Sequence, residues 1–97
     1  MSDDLFAPAP FRPDEALQRA RRELRELGLA EREGRFERRG LVIARVALDG
    51  DALRAEVVKR PARSPEWTGR TLRDHAALRD FVAELKRKLA SWNDRDE

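Results

Sequence analysis

The sequence holds one histidine, His75, and no cysteine. A multi-histidine metal centre, thiolate ligation and disulfide bonds are therefore excluded by composition. Asp74 adjoins His75, but neighbours on a helix point apart and do not form an acid–base pair. Ser64 and Ser91 lie in no nucleophile motif. The five glycines are isolated, so no phosphate-binding loop is present. No catalytic, cofactor or metal site is expected, and the chain reads as a non-enzyme. What remains with chemical potential is a set of cations, Arg39, Arg45, Arg54, Arg60, Arg63, Arg70 and Arg73, with Trp67 among them. A guanidinium fork suits carboxylates and phosphates alike. An indole can stack on a base or cap a core.

Those side chains need a scaffold, and the chain is 97 residues long, one domain's worth. The apolar share is 40% and the charged share 41%, so a thin core is affordable under a heavily charged surface. Net charge is +2. Residues 1–11 carry −2 through Asp3 and Asp4, and residues 93–97 carry −2 through Asp94, Asp96 and Glu97 against Arg95. The stretch 12–92 therefore holds +6. The acidic start has no basic leader and no long apolar run, which with the absence of cysteine points to the cytoplasm.

Three regions follow. Residues 1–12, with Pro8 and Pro10, with Arg12 restricted by the following Pro13, and with the apolar Leu5, Phe6 and Phe11, read as an irregular N-terminal arm. Residues 13–92 form a single α+β domain, and residues 93–97 an acidic tail. Within the domain, Pro13 at a first helical position and Asp14 and Glu15 behind it open a helix over 13–27. Leu17, Ala20, Leu24 and Leu27 give it one apolar stripe. Gly28 ends it in the left-handed conformation, with Leu29 folding back on Leu24. The last helix carries Leu78, Phe81, Val82, Leu85, Leu89 and Trp92 on one face. Between them, Ser64-Pro65-Glu66-Trp67 reads as a cap and one helical turn broken by Gly69. Thr71 and Asp74 have the spacing of a capping box.

The sheet is anchored by a hairpin. Residues 41–48 are rich in β-branched types, Asp49-Gly50 is a strong turn signal, and apolar alternation resumes at Leu53. A two-residue Asp49-Gly50 loop sets Val46 against Leu53, Ala44 against Ala55 and Val42 against Val57, all on the core face. The opposite face then carries Leu41, Ile43 and Val58 together with Arg45 opposite Arg54 and Arg39 opposite Arg60. A further strand near 35–38 joins through Arg39-Gly40, with its register left open and a bulge allowed because Arg-Gly is not a favoured two-residue turn. The expected fold is α-β-β-β-α, a three-stranded antiparallel sheet with two helices on one face. That element order resembles, at the level of fold alone, the double-stranded-RNA-binding domains.

The functional expectation is a small protein-interaction module, self-association included, using the arginine-bearing sheet face that the helices leave bare. The alternative is an RNA-binding accessory protein that uses the same arginines and the basic 59–73 segment. No membrane contact is expected.

Overall fold

The computed structural model describes residues 10–95 of the chain, so the expectations placed on residues 1–9 and on Asp96 and Glu97 lie outside it. The order is α1 (Pro13–Glu26), β1 (Ala30–Arg32), β2 (Arg35–Arg38), β3 (Leu41–Asp49), β4 (Ala52–Val58), β5 (Trp67–Leu72) and α2 (His75–Arg95). The five strands form one antiparallel meander in the order β1-β2-β3-β4-β5. The α+β class and the two helices are as expected, but the sheet has five strands rather than three. With two extra strands the resemblance to the double-stranded-RNA-binding order no longer holds.

Both helices follow their sequence signals. Pro13 starts α1, and Asp14 and Glu15 occupy its first turn. At its end Gly28 takes φ 93°. Its N–H donates to the Arg25 carbonyl at 2.9 Å, and the Leu29 N–H donates to the Leu24 carbonyl at 3.4 Å. Those two bonds are the Schellman pattern, and Leu24 and Leu29 are both buried. On α2, Leu78, Phe81, Leu85, Leu89 and Trp92 are buried and Val82 packs beside them. The Asp74 carboxylate caps α2 directly, accepting from the Ala77 N–H at 2.7 Å. Thr71 belongs to β5 and takes no part in that cap. The helix runs on through Asn93, Asp94 and Arg95, the first residues of the expected acidic tail. Phe11, from the expected arm, packs against the core.

Both strands absent from the expectation have a physical reason to form. Strand β1 is only three residues long, too short to show a period. It exists because Glu33-Gly34 makes a tight hairpin, with φ of 52° and 79° and Arg32 paired to Arg35. Arg39-Gly40 repeats the device at φ 55° and 80°, joining Arg38 to Leu41. Two consecutive positive φ values are the signature of the hairpin turn whose twist matches the strands. Strand β5 replaces the expected helical turn after Ser64. Thr68 and Thr71 are β-branched, Trp67 is aromatic, and the far edge of β4 offers a full ladder from Leu53–Leu72 to Val58–Trp67. That long-range pairing outweighs the local cap pattern.

The Glu33 backbone sits where L-residues other than Asn and Gly are strained. Its side chain is exposed and makes only a loose 4.0 Å ion pair with Arg35. Glu33→Asn is therefore expected to raise stability by about 0.5–1 kcal/mol, a Tm increase of several degrees. Thermal and denaturant melts check this, and a lowered Tm would refute it.

In the β3–β4 hairpin each β3 residue pairs two positions further along β4 than expected. Val46 faces Ala55, Leu48 faces Leu53 and Asp49 faces Ala52, so the loop is Gly50-Asp51. Gly50, at φ 63°, takes the first loop position. A slip of two keeps every side chain on its face, so apolar alternation cannot tell the two registers apart. The charges can. The observed register sets Arg45 opposite Glu56, whereas the expected one sets it opposite Arg54.

A β-bulge changes the faces themselves. Phe36 pairs with Ala44 but Glu37 pairs with Val42, leaving Ile43 as the extra residue in β3. The parity of β3 reverses there. Ile43 and Ala44 are both buried, and Leu41 turns to the helix side, where it lines a cleft with Ile43 and Trp92 of α2. Val42 moves to the other face, half-buried. Of the six residues expected on the core face, Ala44, Val46, Leu53, Ala55 and Val57 are buried there and Val42 is not. Ile43, expected on the bare face, is turned into the core cluster by the bulge, while Val58 keeps its expected parity opposite Trp67 and is nevertheless fully buried.

Candidate functional site

Both helices pack on the sheet face bearing Phe36, Ala44, Val46, Leu53, Ala55 and Leu72, in one hydrophobic cluster. Glu31 pins the β1–β2 hairpin beneath α1. Its carboxylate lies 2.7 Å from both the Arg21 Nε and the Arg25 Nη1, and its side chain is only 13% exposed. No described element covers the opposite face.

That open face follows from register. One row crosses all five strands: Arg32 pairs with Arg35, Arg35 with Arg45, Arg45 with Glu56, and Glu56 with Gly69. A second row runs from Ala47 through Arg54 to Thr71. The third pairs Val58 with Trp67, with Glu37 and Val42 on the neighbouring strands. The face thus carries four arginines against Glu37, Glu56 and, at the hairpin end, Asp49.

Arg45 is its organising side chain. Its guanidinium lies over the Trp67 ring at 3.9 Å from the centroid. The Glu56 carboxylate approaches it at 3.1 Å. Its Nε is buried without an acceptor, a cost that the ring and the carboxylate offset. Trp67 itself is half-buried and packs against the core edge. It is both a core cap and the aromatic of the open face. The Arg54 guanidinium lies over Gly69, where an added Cβ would come 2.8 Å from the Arg54 Cζ. Glycine in mid-strand usually weakens a sheet; here it gives the arginine its bed.

The other expected cations scatter. Arg70 points to the helix side, where it pairs with Glu84 of α2 and lies 6.0 Å from the Phe81 ring centroid. Arg73 makes an exposed 3.9 Å pair with Asp51. Arg39 sits in the β2–β3 turn and Arg60 in the 59–66 loop, so they are not cross-strand partners. Arg39 lines a half-open cleft of about 250 Å³ with Arg38, Leu41, Ile43, Pro61 and Trp92. Arg60 and Arg63 are exposed and pair with no acid among the described residues. The structure therefore brings together Arg45, Arg54 and Trp67 from the expected set. It adds Arg32 and Arg35, which sequence reasoning missed. The two x-Gly turns were the available signal, since they stack β1, β2 and β3 in tight succession.

His75 lies apart from this face. It lines a cavity with Arg12, Glu15 and Arg19 and meets Phe11 edge-on at 5.3 Å. Among the described residues no group of His, Asp and Glu is placed to hold a metal ion. No helix among them is long and apolar enough to cross a membrane.

Fold and face together define a two-layer α+β module with one bare, mixed-charge sheet surface. The chain matches no family model, no curated protein sequence and no solved structure.

Proposed function

We propose that this chain is a small non-enzymatic protein-interaction module whose bare sheet face receives an acidic segment of a partner protein. The observation that carries this reading is the Arg45–Trp67 couple, flanked by Arg32, Arg35 and Arg54 on an uncovered sheet. Tryptophan and arginine are the residue types that dominate binding energy at protein interfaces. A half-buried indole is already desolvated and held rigid, so little entropy is lost when a partner lands on it.

RNA binding is the second reading, supported by the Arg32–Arg35–Arg45 row. One feature weighs against it. Arg45 already covers one side of the Trp67 ring, so that side is no free stacking platform.

The test is a titration of the full chain with a poly-glutamate peptide and, separately, with a single-stranded oligonucleotide, followed by amide NMR. The expected result is peptide-induced shifts confined to Arg32, Arg35, Arg45, Glu56 and Trp67. Arg35→Glu should weaken binding by about tenfold (about 1.4 kcal/mol), and Arg87→Glu on the outside of α2 should leave it unchanged. Equal losses for the two variants, or steeply salt-dependent oligonucleotide binding without peptide binding, would overturn the protein reading.

A further inference from the structure

The sheet has two edges, and they are built differently. Strand β1 is three residues long and reads Ala-Glu-Arg, a short charged edge of the kind that discourages further pairing. Strand β5 is six residues long, holds no proline or lysine, and pairs with β4 without a bulge. Thr68, Gly69 and Arg70 at its middle are exposed.

The hydrogen-bond phase of β5 is fixed at one end. The Lys59 N–H donates to the Glu66 carbonyl at 2.8 Å. Hydrogen-bonded pairs alternate along an antiparallel ladder. Thr68, Arg70 and Leu72 therefore turn their main-chain groups toward β4. Trp67, Gly69 and Thr71 turn theirs outward, to an edge with no strand beside it among the described residues.

We propose that two copies of this chain join through β5, antiparallel, with Gly69 on the two-fold axis. This deepens the protein-interaction reading, on which it rests, by naming a second copy as one partner. The strand is self-complementary in that register alone. Trp67 meets Thr71 of the second copy, Gly69 meets its counterpart and Thr71 meets Trp67, so all three outward residues find partners. Sliding by two residues in either direction loses one of those pairs. Sliding toward the C-terminal side also sets Arg70 against itself, a like-charge pair. With Gly69 on the axis, Thr68 lies against Arg70 and no like charges are opposed. The Arg32–Arg35–Arg45–Glu56–Gly69 row then continues into its own mirror sequence in the second copy. Arg54 and Glu56 of each copy gather at the axis with balanced charge. The result is one continuous sheet with a single bare face and all helices on the other side.

Sedimentation equilibrium of the full chain from micromolar to millimolar concentration tests this. The wild type should be a dimer at the upper end. Thr71→Pro removes an outward N–H while every bond to β4 stays, since edge strands tolerate proline there. It should raise the dimer dissociation constant at least tenfold, with unchanged far-UV circular dichroism. Should the proline variant fail to fold, Thr71→Lys, which places charges at the edge, should give the same loss. A wild type that stays monomeric at millimolar concentration overturns the proposal, as does a folded Thr71 variant that dimerises like the wild type. A monomer that still binds the acidic peptide would overturn this inference alone. A dimer that ignores the peptide would overturn the acidic-partner reading alone.

Discussion

Ile43→Lys is expected to unfold the domain, while Val42→Lys, one residue away, leaves it folded. The Ile43 side chain is 1% exposed and sits in the main core cluster. Its replacement loses about 2–5 kcal/mol of packing. It also brings an ammonium group into the core beside a cleft lined by Arg38 and Arg39, at a further cost of several kcal/mol. A domain of this size holds about 5–10 kcal/mol in all, so the native state is no longer favoured. Val42 lies half-buried on the bare face beside Glu37. A lysine there can run its stem along the sheet and reach water, for a loss of about 1 kcal/mol or less. Circular dichroism and thermal melts of the two variants decide the matter. Uninterrupted alternation from the Asp49-Gly50 turn demands the opposite result, a tolerated Ile43→Lys and a damaging Val42→Lys. The pair of variants is therefore a direct assay of the bulge.

The same bulge marks where legibility in the sequence stops. Both helices, their apolar stripes and the α1 cap are short-range patterns, and all were readable. The hairpin site was readable too, because Asp49-Gly50 is local. Its register was missed, because apolar alternation has period two and is blind to a shift of two, and the Arg45–Glu56 pairing that separates the two registers was the signal left unused. The bulge inverts the face of everything before it in β3, and no local signal near Ile43 announces it. Strand β1 is too short to show a period. Strand β5 carries a helix-like cap pattern that pairing with β4 overrides. For the candidate site, Arg45 and Arg54 lie on strands whose faces survive the register error, so they were found together, whereas Trp67 was read into a helical turn and reaches this face only because β5 is a strand. Arg32 and Arg35 depend on the Glu33-Gly34 turn, and Glu-Gly is a weaker hairpin signal than Asn-Gly. Arg70 and Arg73 were grouped with them by sequence proximity. Strand parity sends Arg70 to the helix side, where Glu84 meets it.

That parity yields the sharpest test of the site. Trp67→Ala should weaken the acidic-peptide complex by about 30-fold or more, the loss typical of a central hot spot of about 2 kcal/mol. Arg70→Ala, three residues along the same strand, should leave affinity unchanged. Removing the indole takes away the surface on which Arg45 rests. The guanidinium then loses its fixed orientation and pairs with Glu56 alone. Both members of the couple are thus disabled by one substitution. Some stability goes with them, about 1–3 kcal/mol, because the half-buried ring packs on the core edge. The affinity measurement is therefore made by calorimetry well below the melting temperature of the variant. Arg70→Ala supplies the matched control, since it breaks the Glu84 pair on the helix side and costs stability without touching the bare face. If both variants bind alike, or if Arg70→Ala is the weaker binder, the binding surface is not the open sheet. A selective loss in Trp67→Ala locates it there, on a side chain whose exposure depends on β5 being a strand.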